Sequence, residues 1–125
     1  MILNANNKKA DTMTETISWD DFKKVELRIG TVVRAEKFSE ARNPAYKIWA
    51  DFGDILGIKK SSAQITVHYK PEDLVGKQIV AVVNFPVKQI GPIKSEFLLA
   101  GFCDDNGNVV IAKPERPVPN GMRML

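Results

Sequence analysis

The 125-residue sequence contains one cysteine and one histidine. A single cysteine, Cys103, excludes an intrachain disulfide. Cys103 and His68 together cannot fill the four-ligand shell of a Cys/His zinc site. A Ser–His or Cys–His catalytic arrangement would have to rest entirely on His68, and nothing near Glu96 in the sequence positions a nucleophile for an acid pair. The reading is therefore of a non-enzyme with no catalytic residue, metal or cofactor. No apolar run approaches the length of about 18 residues that a membrane span needs, which predicts no membrane insertion. The opening stretch MILNANNKKADTMTET lacks the apolar segment of a secretory signal. With one thiol kept in an intracellular style, these features predict a cytoplasmic protein.

Hydrophobic residues make up 44% and charged residues 26%, an ordinary globular balance that suits one domain of this length. The net charge of +3 is unevenly spread. Residues 28–60 carry seven basic and four acidic side chains. Residues 77–94 carry Lys77, Lys88 and Lys94 with no acid. The rest of the chain is slightly acidic, so the positive excess sits in two separated segments.

Residues 1–16 read as a polar tail, in which Met13 is a second candidate start. Ser18-Trp19-Asp20-Asp21-Phe22 reads as a short helix with Ser18 as N-cap and acids in its first turn. From Lys24 to Glu36 the apolar period is two, with Val25, Leu27, Ile29, Thr31, Val33 and Ala35 on one face. Gly30 suggests a bulge or tight bend in this long first strand. Asn43-Pro44 marks a loop between Phe38 and Ala45. Tyr46, Ile48, Ala50 and Phe52 define a second strand, and Ile55 to Thr66 a third strand or strand pair interrupted at Gly57. Pro71 to Gly76 is a helical turn with Pro at its start and Gly at its end. Lys77 to Phe85 is a fourth strand, apolar on both faces, so one face needs cover from outside, such as a second subunit. Pro86 to Lys94 reads as a loop and Ser95 to Phe102 as a fifth strand. Asp104 to Gly107 is a hairpin turn of type I′, with Val109 to Ala112 returning.

Five short strands, a bent first strand and a helix between the third and fourth predict an all-β fold: a five-stranded OB-fold barrel with short helices and N- and C-terminal extensions. An SH3-like barrel is the rival, disfavoured by the helix placement. An OB-fold binds ligands on its second and third strands and the flanking loops, here 46–66, 38–45 and 86–94. Both positive segments fall there, which points to nucleic acid.

Several blocks carry a more specific signal. They are Ala41-Arg42-Asn43-Pro44-Ala45-Tyr46-Lys47-Ile48, Asp51-Phe52-Gly53, Lys60-Ser61-Ser62-Ala63-Gln64-Ile65-Thr66, Val82-Val83-Asn84-Phe85-Pro86, and Lys94-Ser95-Glu96 with Leu98. In this order, from about Trp19 to Arg123, the chain resembles the CsaA family of export-related chaperone-like proteins. That family is itself similar to stand-alone tRNA-binding proteins and to the C-terminal dimerisation domain of methionyl-tRNA synthetase. The resemblance implies a tRNA-binding-type OB-fold domain over 17–125 with dimerising ends. It implies a cytoplasmic homodimer that binds tRNA or other structured RNA and has been called a protein-export chaperone. Unfolded or export-precursor polypeptides are then the alternative ligand, on the same or an adjacent groove.

Arg42, Lys47, Lys59, Lys60, Lys88 and Lys94 are the candidate phosphate contacts. Six such contacts would give a log–log salt slope of about −4 to −5. Trp49 either stacks a base beside Lys47 or packs beneath a loop or subunit. Ser95 either bonds a phosphate or base edge or caps the fifth strand. Ser61 and Ser62 either admit an RNA backbone or pack. Asn84 is expected to make a structural hydrogen bond, His68 to be satisfied or exposed, and Cys103 to be a buried small hydrophobe. Trp19, Phe22, Val80, Val82, Val118, Met122, Met124 and Leu125 are the candidate dimer interface.

Overall fold

The structure is a computed structural model that describes residues 15–125; the predicted tail lies, but for its last two residues, outside them. Three short helices, α1 (Trp19–Lys23), α2 (Gly53–Leu56) and α3 (Pro71–Leu74), punctuate nine strands. The long strands are β1 (Leu27–Lys37), β2 (Tyr46–Asp51), β3 (Ile58–Ala63) and β4 (Gln78–Val82). The short ones are β5 (Lys88–Ile90), β6 (Ile93–Ser95), β7 (Leu98–Leu99), β8 (Gly101–Cys103) and β9 (Val109–Ile111). The main sheet runs β3-β2-β1-β4-β7, all antiparallel in its pairings. It curls until β3 meets the 95–97 stretch. There Glu96 N donates to Lys60 O at 2.8 Å, Lys60 N donates to Glu96 Oε1 at 3.0 Å, and the Ser61 hydroxyl donates to Phe97 O at 2.6 Å. The result is a nearly closed five-stranded barrel, as the OB-fold expectation required.

β1 serves both halves of the barrel, pairing β4 through Leu27–Thr31 and β2 through Thr31–Lys37. To do so it bends twice. At Gly30 the missing side chain leaves room for the Phe52 ring, because a Cβ there would lie 2.7 Å from Phe52 Cε1. Phe52 is fully buried and packs edge-on against Phe97 at 5.2 Å. Burial of such a ring contributes about 1.5–3 kcal/mol. At Val33 the register slips by one residue between Val32 and Arg34. This bulge reverses the parity: Val32 and then Ala35 pack on the core, while Val33 is exposed. The even alternation expected through this strand is corrected accordingly.

The local signals near the helices are met. Ser18 and Asp21 form a capping box on α1. Pro71 opens α3, whose Leu74 plugs the barrel floor with no exposure, and Gly76 leaves it at φ 91°. Asn84 makes two structural bonds, accepting from Glu26 N at 3.0 Å and donating to Lys24 O at 2.6 Å. Other expectations need correction. Ile55 and Leu56 belong to a helical turn, Gly53–Leu56, and not to the third strand; the Asp51 carboxylate accepts from Gly53 N at 2.9 Å at its start. The segment 86–94 is not a plain loop; it contains the β5–β6 hairpin up to Ser95. The expected fifth strand breaks into β7 and β8, the latter paired with β9. Of the 104–108 turn only Gly107 has positive φ, at 79°. The turn is therefore not type I′ but is closed by Asp104 Oδ1, which accepts from Asn106 N and Asn108 N, each at 2.9 Å. Cys103 is exposed on the β8–β9 hairpin and not buried.

The fourth strand needs no cover from outside. Val80 and Val82 are only 6% and 8% exposed within one chain. The C-terminal segment returns along β4 and β1: Val80 N donates to Ala112 O at 3.3 Å, and Gln78 exchanges bonds with the Val118 backbone at 2.6 and 2.9 Å. Further on, Gly121 N donates to Ile29 O, Ile29 N to Met122 O and Met124 N to Leu27 O, at 2.7, 3.0 and 2.9 Å. Arg28 fastens this return, donating to Gly121 O at 2.9 Å while its guanidinium pairs with Glu26. That hydrogen bond from Arg28 holds the Glu26 carboxyl below the usual carboxylate range.

Gly30→Ala should destabilise the fold by about 1–3 kcal/mol, since the Phe52 ring must shift; urea denaturation checks this, and an unchanged midpoint would contradict the packing described. Glu26, with its folded-state value depressed, contributes stability above its unfolded-state value and loses it as pH falls through the lower folded-state one. Glu26→Gln should therefore cost about 0.5–1 kcal/mol at neutral pH, with the two proteins converging in acid; thermal melts across that range test it.

Candidate nucleic-acid interface

The outer face of the barrel is set by strand register. Across β1, β2 and β3, Glu36, Lys47 and Ser62 lie in one row, Arg34, Trp49 and Lys60 in the next, and Thr31, Asp51 and Ile58 in the third. Tyr46, Ile48 and Ala50 alternate with these and are buried. An aromatic ring thus sits at the centre of the face with a cation on the neighbouring strand on either side. The Arg34 guanidinium lies 4.4 Å from the Trp49 ring centroid, an arrangement worth about 0.5–1 kcal/mol near solvent. The Trp49 ring is half-buried under Arg34, a strand neighbour and not a loop, and its strand parity is outward.

Two loops extend this face. A small apolar cluster of Phe38, Ala45 and Ile93, with Ala41 and Ile90 beside it, bolts the 38–45 loop to the β5–β6 hairpin. It brings Arg42 and Lys47 into the same region as Lys88 and Lys94, which are far away in sequence. Lys47 lies along this cluster, its Nζ 5.1 Å from the Phe38 ring and 3.9 Å from Glu40. Lys88 pairs with Ser95, and Lys94 with Gln89, so the two lysines project from opposite faces of the hairpin. Ser95 is committed to structure: its hydroxyl lies 2.7 Å from that of Ser61, which is buried. Lys59 is paired with Ala50 and has the inward parity, so it stands apart from the Lys60 row. Arg42, Lys60, Lys88 and Lys94 have no acidic partner within 4.0 Å among the described residues. Cations without an intramolecular partner are the ones ready to replace counterions on a phosphate backbone.

Two residues of this region were not singled out from the sequence. Arg34 is one; the period of two already puts it on the face opposite Ala35, but only the pairing register sets it beside Trp49. Lys37 is the other. It ends β1 and, with Arg42, Phe38 and Pro44, lines a cavity of about 430 Å³ beneath the 38–45 loop.

The candidate interface residues at the chain ends form a different region. Trp19 is 64% exposed and touches Phe22, ring centroids 5.5 Å apart. The Arg123 guanidinium donates to Lys23 O, tying α1 to the C-terminal return. Met122, Met124 and Leu125 expose their side chains while the first two bond their backbones to β1 of the same chain, and Val118 is half-buried. Val80 and Val82 lie beneath the surface and offer little area to a partner.

Replacing Arg34 with Ala should uncover the Trp49 ring. In a Trp19→Phe background, where Trp49 is the remaining indole, acrylamide quenching should rise; unchanged quenching would contradict the stacked geometry.

Comparison with known proteins agrees with this geometry. The family described as "Putative tRNA binding domain" matches residues 27–123. The methionine–tRNA ligase of Methanothrix thermoacetophila is 40% identical over 106 residues, which is 84% of this chain and 15% of the ligase. The chain thus spans under a fifth of the length of that curated relative. The crystal structure of chaperone CsaA from Bacillus anthracis superposes with a TM-score of 0.83 at 50% identity, covering 89% of this chain and all of that one. CsaA chaperone protein from Picrophilus torridus gives 0.82 at 43%, covering 88% and all of that chain. This chain belongs to the tRNA-binding-domain family and is similar, over nearly all its described length, to the two CsaA structures.

Proposed function

We propose that this protein is a cytoplasmic, non-catalytic homodimer that binds tRNA or another structured RNA through the outer face of β1–β3 and the two loops beside it. The observation that carries this reading is the row Arg34–Trp49–Lys60 adjoining loops that a dedicated apolar cluster holds together. Cations track the phosphate backbone, and the central indole takes an unpaired base. Arg34 and Lys47 lie near Glu36 and Glu40, at 2.8 and 3.9 Å, so each exchanges a weak surface pair for a phosphate. A homodimer would present two such faces to one RNA larger than the protein. The exposed Trp19, Met122, Met124 and Leu125 supply apolar surface for that association.

The second reading is a chaperone that binds export-precursor polypeptides. Its support is the word chaperone in the names of the CsaA structures and the same exposed apolar side chains. The two readings part with salt: polypeptide held by apolar contact persists where phosphate contacts are lost.

With Arg34, Arg42, Lys47, Lys60, Lys88 and Lys94 engaged, tRNA affinity should fall with salt at a log–log slope of about −4 to −5. The combined change Lys47→Ala, Lys88→Ala and Lys94→Ala should weaken binding and bring the slope to about −2 to −3. Filter binding at several salt concentrations measures both; an unchanged triple variant would refute the RNA reading.

A further inference from the structure

The cavity beneath the 38–45 loop does not end there. It shares Pro44 and Thr66 with a second hollow of about 250 Å³ that reaches the β8–β9 turn at Asn108. The two form one groove, lined by residues other than those in the outward rows of β2 and β3. Its chemistry changes along its length. At one end stand Lys37 and Arg42, neither with an acidic partner within 4.0 Å among the described residues. In the middle lie the Pro44 ring and Thr66, which offers a methyl group as well as a hydroxyl. At the far end lie Gln64 and Asn108. Their side-chain amides make no hydrogen bond among the described residues; Asn108 engages only through its backbone, which donates to Asp104.

The groove is also built on fixed walls. Tyr46 OH donates to Tyr69 O at 2.7 Å, and Tyr69 OH accepts from Ile111 N at 3.0 Å, which ties the barrel to the 64–70 segment and to β9. His68 Nε2 lies 2.7 Å from Asp104 Oδ2, linking that segment to the far turn. The Phe38 cluster holds the near wall.

We infer that this groove takes two consecutive unpaired nucleotides of a bound RNA, with a phosphate at Lys37 and Arg42 and a base edge read by the Gln64 and Asn108 amides. The inference rests on the RNA-binding reading and deepens it. A guanidinium and an ammonium suit a phosphate, an apolar saddle suits a ribose and a base face, and a side-chain amide presents the donor and acceptor that a base edge requires. Sequence in RNA is read at unpaired nucleotides, so this groove adds base preference to a face that otherwise grips backbone. A neutral polypeptide would use the apolar saddle and could pair its backbone with the two amides, but it would leave the two cations unmatched.

The test is an NMR titration of the ¹⁵N-labelled full chain with 5′-phosphorylated RNA dinucleotides of differing sequence. Perturbed amides should cluster in 37–46, 64–67 and 107–109, with affinity differing between bases. Arg42→Ala should weaken binding about tenfold and Arg42→Lys less. Asn108→Leu should erase the difference between bases while keeping the dependence on the 5′-phosphate. The spectrum of each variant reports its folding directly. Perturbation centred on Trp49 and Lys60 instead, no binding at millimolar dinucleotide, or preferential filling of the groove by an uncharged decapeptide would each overturn the inference. Running the same titration on the Lys47/Lys88/Lys94 triple variant separates the two readings: that variant keeps the groove, so it should bind dinucleotide normally while binding folded tRNA more weakly.

Discussion

Everything in this molecule depends on how one strand is bent around one ring. β1 hydrogen-bonds β4 with its first half and β2 with its second, and it can do both only by turning across the barrel. Phe52 fills the inside of that turn, and Gly30 is the residue that lets the ring approach. The same ring's backbone is crossed by the C-terminal return, where a Cβ on Gly121 would lie 2.5 Å from Phe52 O, at a φ of 88° that favours glycine in any case. Barrel closure and the docking of the chain end are therefore two consequences of one packing centre.

The proposed binding face follows from that bend by strand geometry. Past the bulge at Val33, the outward positions of β1 fall beside those of β2 and β3, which places Arg34 over Trp49 and Lys60 on its other flank. The loops on either side would be independent surface features without Phe38, Ala45 and Ile93. This second, smaller cluster has no part in the main core, yet it gathers cations from two segments about 40 residues apart. A cation held in place this way would give up less freedom on binding than one on a mobile loop.

Much of this was legible in the residues where the governing interaction is local. Ser18 with Asp21, Pro71 with Gly76, and the strict alternation of β2 each specify their conformation within a few neighbours. The OB-fold barrel followed from their order. What escaped was set by distant contacts. The parity switch at Val33 has no signature of its own, because Val suits either face, and that Arg34 lies beside Trp49 is a matter of register between strands. Lys59 and Lys60 are adjacent and equally basic, and only pairing with Ala50 and Trp49 separates them. Val80 and Val82 looked in need of a partner because the return of residues 112–124 over the sheet could not be read from prolines and methionines. The exposure of Cys103 escaped for the same reason: it comes from a hairpin break that propensity did not mark.

The central claim is that folded RNA lies on the outer face of β1–β3 and its two adjoining loops. Hydrogen–deuterium exchange of the full chain with and without excess tRNA at low salt tests it most directly. The account predicts slowed exchange over 34–49, 58–62 and 88–95, reversed by raising the salt. Protection confined to 17–25 and 118–125, or protection that survives high salt, would contradict it.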